Sequence, residues 1–187
     1  MFLLLEKGGG YIMNEDTRKY INDLANAVIT AYHIDIPIKD MEKVAKTIGA
    51  VIKYNPNFND FCDGTIKKTG DRSFEIQLSS SSNSKRNAFT IAHELGHLFL
   101  HMGYRTNLEV WKKQSLDKEY QRFGTSNQEY QANEFAGALL MPEKIYKQQL
   151  KQHSSNGYVD IGKVANYFNV SVAAATNRGR FLGYLSW

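Results

Sequence analysis

The sequence predicts an α+β domain in which a small antiparallel sheet of about three strands packs against a mostly helical remainder. Three observations carry that expectation. Apolar residues recur at helical spacing over most of the chain, alternating runs are confined to residues 50–78, and a segment that is apolar on nearly every side follows them directly. With 187 residues, 42% of them hydrophobic and 22% charged, the chain is long enough to fill one core. The domain is expected to span residues 14–187, after an extension at 1–13 outside the fold.

In that extension, Phe2 to Leu5 is the only apolar run, too short for a secretory segment or a membrane span. Glu6-Lys7-Gly8-Gly9-Gly10 resembles a translated purine-rich ribosome-binding site, with Met13 as the working start. Asn14 then precedes Glu15 and Asp16 in a first turn, and Ile21, Leu24, Ala25, Val28, Ile29 and Tyr32 define a helix ending near His33. Pro37 interrupts. Asp40 caps a short helix carrying Met41, Val44, Ala45 and Ile48, stopped by Gly49.

Residues 50–54 are a strand by composition. After a loop with Pro56, Asn57 and Asn59, residues 64–68 and 73–78 flank Thr69-Gly70-Asp71. Phe74, Ile76 and Leu78 alternate with polar residues, predicting a hairpin with one buried face. Residues 79–84 are polar and supply helix caps. Lys85 and Arg86 in the next first turn oppose the helix dipole, a small cost with no local reason.

Residues 103–128 are long, polar and weakly patterned, with Trp111, Tyr120 and Phe123 scattered through them. A lid or binding loop and a mobile insertion both fit. A helix follows to Met141, ended by Pro142, then another from Glu143 to Gln152 with Ile145 and Leu150 inward. Asp160 caps a turn of helix with Ile161, Val164, Ala165 and Phe168, Asn169 is a left-handed stop, and Ser171 caps a last helix through Arg180. This helix-turn-helix-like tail at 160–180 is expected to pack as part of the domain.

The chain has one cysteine, Cys62, so neither an internal disulfide nor a cysteine-rich zinc site exists, and Cys62 reads as a small packed residue. A reducing cytoplasm is the expected location. The net charge of +4 belongs to the tail, where residues 143–187 hold 6 Lys+Arg against 2 Asp+Glu. A basic surface there offers a route to nucleic acid, though a solvated helix face is the commoner cause.

Chemistry concentrates in Ala92 to Leu98, A-H-E-L-G-H-L. In a helix, His93 and His97 lie one turn apart on one face, and Ile91, Leu95, Leu98 and Met102 form a stripe opposite them. One side packs while the other can hold an ion. Neutral imidazole is a good Zn²⁺ ligand, and a catalytic zinc takes three protein ligands and leaves a position for water, whose proton Glu94 would accept. One Zn²⁺ per chain is expected, with Mn²⁺ the alternative. Glu129 is the expected third ligand, because it shares a helix face with Ala132, Asn133, Ala136 and Gly137, small or short residues that let two helices approach closely. Glu134 is the competitor. His101, one turn beyond His97, suits a supporting or helix-end role better than a third ligand on the same helix. For the group that stabilises the oxyanion, Tyr104, Tyr130 and His101 are candidates. The edge of the strand at 73–78 was the expected place for an extended peptide to add as a further strand.

With His93-Glu94-x-x-His97, Glu129-x-x-Ala132-Asn133-x-Phe135-Ala136 and Leu139-Leu140-Met141-Pro142 in hand, the chain resembles the ImmA/IrrE family of metallopeptidases. Phe89 to His97 with His101, Met41 to Gly49 and Phe168 to Ser171 extend the resemblance over roughly residues 17–185. It implies a gluzincin-like domain, zinc on His93, His97 and Glu129, Glu94 as catalytic acid and base, and a helix-turn-helix repressor as protein substrate, cut to release mobile-element or stress-response genes. Where relatives often have Glu-x-Glu-Ala-Asn, this chain has Glu129-x-Gln131-Ala132-Asn133. The rival reading is a regulatory binding module that grips a repressor or DNA without cutting, its metal purely structural. No membrane partner is expected.

Overall fold

Helix starts follow their capping residues. In the computed structural model, which describes residues 13–56, 64–120 and 126–186, Asn14 Oδ1 accepts from the Thr17 N–H at the head of α1 (Glu15–Ala31), and Asp40 Oδ1 from the Lys43 N–H at the head of α2 (Met41–Ile48). Gly49 ends α2 at φ 126°, where a Cβ would also lie 2.7 Å from the Arg72 carbonyl. Met13, expected to fall in the extension, packs into the core at 8% exposure. Cys62 and Phe123 fall outside the described residues.

β1 (Ala50–Asn55), β2 (Gly64–Lys68) and β3 (Phe74–Ser79) form the three-stranded sheet. Its order is β1-β3-β2, with the predicted antiparallel hairpin of β2 and β3 and a parallel pairing of β1 with β3 that local patterning did not reveal. The strand expected to offer a free edge is therefore the central one, with a neighbour on each side. The alternation holds: Phe74, Ile76 and Leu78 are fully buried beneath the helices. On the opposite face Glu75 is buried too, because Lys53 and Lys67 reach it from the two flanking strands at 2.7 and 3.1 Å.

α3 (Ser84–Leu100) leaves the sheet under an Asn83 cap and runs through the core, with Ile91, Leu95, Leu98 and Met102 essentially inaccessible. Its awkward Lys85 has a tertiary purpose: Nζ donates to the Val170 carbonyl, 3.1 Å away at the turn between the last two helices. α5 (Ser126–Leu140) packs across α3, and contact is tightest at Gly96, where a Cβ would lie 2.9 Å from Ala132 Cα. A glycine between the two histidines is thus what lets the helices close. Of the small residues expected at this crossing, Gly137 lies instead against Arg178.

Between these helices, α4 (Leu108–Lys113) buries Trp111 against Tyr104, and residues 116–120 run along the outer edge of β2. Asp117 N–H donates to Lys68 O at 2.9 Å and Tyr120 N–H to Ile66 O at 2.8 Å. That stretch is tied down, not loose. Beyond α6 (Glu143–Gln152), a two-stranded ribbon of β4 (Ser154–Ser155) and β5 (Tyr158–Val159) turns at Asn156-Gly157, both at positive φ. This Asn-Gly pair is a standard hairpin signal. α7 (Ile161–Tyr167) and α8 (Val172–Phe181) close the fold, with Asn169 at φ 54° as expected. No helix among the described residues is long and apolar enough to cross a membrane.

Candidate metal centre

α3 and α5 bring three donor groups together. Nε2 of His93 and Nε2 of His97 lie 3.0 Å apart, and the Glu129 carboxylate approaches them at 3.2 and 3.4 Å respectively. Zinc with N and O ligands at about 2.0–2.1 Å in a tetrahedral arrangement sets its ligand atoms about 3.3 Å apart. The three separations match that spacing.

The hydrogen bonds behind the rings show which atoms face inward. His93 Nδ1 lies 2.9 Å from Asn133 Oδ1, an acceptor only, so this nitrogen carries the proton and Nε2 presents its lone pair. His97 Nδ1 lies 3.0 Å from His101 Nδ1, whose Nε2 lies 3.0 Å from Gln131 Oε1. Two imidazole lone pairs and a carboxylate thus converge in a site where His97 is wholly buried. Such an arrangement is repulsive until a cation stands among them. The donor set, two imidazoles and one carboxylate, is one that zinc accepts.

Glu94 is 1% exposed on the same helix, and beside it the start of β2 makes room for Thr90. At Gly64, the first residue of β2, a Cβ would lie 3.5 Å from Glu94 Oε1 and 2.5 Å from Thr90 Cγ2. Sequence reasoning missed Gly64, although a glycine at a strand start is the signal of a close neighbour.

The competing carboxylate has another use. Glu134 is buried against Arg178, Nη1 to Oε1 2.8 Å, and accepts from Asn22 Nδ2 at 2.7 Å. Arg178 also donates to Asn22 Oδ1 and the Met141 carbonyl. Arg178, one of the basic residues of the tail, is therefore 3% exposed and spent on packing α8 against α1 and α5.

Tyr104 is not at the centre. Its hydroxyl donates to the Ile48 and Arg72 carbonyls, within a cluster of Phe74, Phe99 and Trp111, so its expected role near the oxyanion is replaced by a packing one. Tyr130 is 42% exposed. The phenol that does reach the histidines is Tyr120, its ring centroid 5.7 Å from that of His97 and stacked 6.5 Å from that of His101. Its hydroxyl donates to Gln128 at 3.3 Å, and burial, together with the Glu129 charge, raises its pKa. Burial also lowers the pKa of His101, so this ring stays neutral more readily than a free imidazole. Nothing local in residues 103–128 marks Tyr120; only its pairing to β2 brings it in.

A mixed sheet bordering a helix with two histidines, and a second helix bringing a carboxylate, define a metallopeptidase-type fold and site. Residues 61–179 match the family model Peptidase_M78, the IrrE N-terminal-like domain, and the chain belongs to this family. Its fold is similar to that of a Mycobacterium tuberculosis transcriptional regulator, with a TM-score of 0.55 at 15% identity over 88% of this chain and 50% of that one. The chain thus spans about half the length of that structure. No curated protein matches the sequence.

Proposed function

We propose that the protein is a zinc-dependent endopeptidase that cuts a helix-turn-helix transcriptional repressor, with His93, His97 and Glu129 as ligands and Glu94 as general base and acid. The observation that carries this reading is the convergence of three electron-pair donors at tetrahedral spacing beside a buried glutamate in a chain of a peptidase family. When bound, the ion supplies Lewis acidity toward a peptide carbonyl and brings the pKa of a water to about 7.

The chain's own groups do the rest. Glu94, 1% exposed on α3, takes the proton of the attacking water and returns it to the leaving amine. Asn133 orients His93. Both nitrogens of His101 are engaged, which removes it from contact with a substrate oxygen; the candidate donors to the carbonyl oxygen are Tyr120, which would exchange its hydrogen bond to Gln128 for one to the substrate, and the exposed Tyr130. The similarity to a transcriptional regulator supports a regulatory setting for the cleavage. A cytoplasmic repressor would meet the enzyme without export.

The test is incubation with the repressor encoded beside the gene, with and without a chelator. Glu94→Gln is expected to keep zinc and lose at least about a hundredfold in cleavage rate. Cleavage at the wild-type rate by this variant, or in excess chelator, rules out Glu94 or the metal as part of the reaction, whereas an intact repressor that is nonetheless released from its DNA by both wild type and variant favours the binding module.

A further inference from the structure

α5 supplies more to the centre than a ligand. Glu129 faces the two histidine Nε2 atoms, Asn133 meets His93 Nδ1, and Gln131 meets His97 only through His101. The third of these connections can be read proton by proton. A glutamine oxygen only accepts, so His101 Nε2 must carry hydrogen. A neutral His101 then has a lone pair on Nδ1, and the 3.0 Å contact between the two Nδ1 atoms is a hydrogen bond only if His97 Nδ1 is the donor. With its proton there, His97 has its remaining lone pair on Nε2, the atom 3.4 Å from Glu129 Oε1.

The relay is also held from outside. The Tyr120 ring lies nearly parallel to His101, at 11°, and Tyr120 is anchored by its backbone to Ile66 of β2. His101 is itself the C-cap of α3, with its N–H donating to His97 O at 2.9 Å, so ring and backbone both tie it to the same residue.

Resting on the zinc reading above, we propose that Gln131 and His101 are positioning residues of the metal centre: Gln131 sets the tautomer of His101, and His101 sets that of His97. Gln131 thus serves the centre as a hydrogen-bond acceptor. Partners of this kind behind a ligating histidine typically contribute 10–100-fold in metal affinity.

The experiment measures zinc affinity of the full chain by competition with a chromogenic chelator, alongside thermal unfolding of the metal-free protein. Gln131→Leu removes the acceptor at similar volume and is expected to weaken zinc about tenfold, while Gln131→Glu keeps an acceptor and stays within about threefold of wild type. His101→Phe keeps a ring against Tyr120 but strands the His97 N–H, and is expected to weaken zinc by at least as much as Gln131→Leu. Unchanged affinity in Gln131→Leu overturns the relay, and so does equal weakening by the leucine and the glutamate, which would mean that packing alone matters at this site. If His101→Phe fails to fold, the Gln131 pair decides alone. A wild-type protein that binds no zinc defeats the metalloenzyme reading itself, whereas zinc held equally by wild type and variants defeats only this inference.

Discussion

Five residues apart on α5, Glu129 and Glu134 meet opposite surroundings. Glu134 lies between Arg178, Asn22 and the edge of Arg18, so the fold brings the cation as well as the anion, and the cluster is complete within the chain. Glu129 faces two histidines whose lone pairs point the same way as its own charge. One carboxylate is neutralised by an arginine, and the other is gathered with two imidazoles into a group whose donor atoms could hold a metal ion. Buried polar groups of the first kind hold elements together, while those of the second kind make a site.

The largest effect that separates the two is on stability without metal. Arg178→Met leaves Glu134 buried without its partner and is expected to cost about 3–5 kcal/mol in urea unfolding. Glu129→Gln, on a side chain 38% exposed, is expected to change the metal-free protein by less than about 1 kcal/mol. Equal losses would erase the distinction.

Metal should reverse the ranking. Zinc at a hundred times its dissociation constant is expected to stabilise the wild type by about 2.7 kcal/mol. Glu129→Gln should lose most of that gain, measured as the zinc-induced rise in melting temperature. A wild-type melting temperature indifferent to both zinc and chelator would place the two carboxylates in the same class after all.

The smallest effect concerns another buried carboxylate, Glu75. Burial alone would push Glu75 up, but bonds from Lys53, Gln77 and Lys67 outweigh it and bring its pKa down to about 2, from an ordinary 4.5. A folded-state pKa below the unfolded one stabilises fully above pH 4.5 and is lost as pH falls toward 2. The loss should be about 1–2 kcal/mol once water's access to the lysines is allowed for. Unfolding of Glu75→Gln against wild type at pH 6 and pH 2.5 measures it: the gap between the two should narrow at the lower pH. A constant gap would mean that Glu75 acts through shape and not charge.

Most helices and their caps could be read locally, because a cap is a contact between residues three apart and an amphipathic stripe needs no partner to be visible. The pair His93 and His97 was legible for the same reason, one turn of one helix. Glu129 was reached through its small neighbours, and the crossing of Gly96 on Ala132 gives that reasoning its physical basis, although Gly137 proved to serve Arg178. The parallel addition of β1 to β3 was not legible, since alternation defines the face of a strand and is silent about its neighbours.

The sequence by itself thus determined most of the helices, the three strands of the main sheet and the histidine pair, all properties of short spacing along the chain. Only the tertiary structure decided which strand is central, that Lys85 spans to Val170, that Glu134 belongs to Arg178, and that Tyr120 and Gln131 come to His101. Those outcomes depend on which surfaces meet when helices and sheet pack. Such pairing joins residues up to a hundred positions or more apart, as Asn22 and Glu134 are, and no local pattern encodes it.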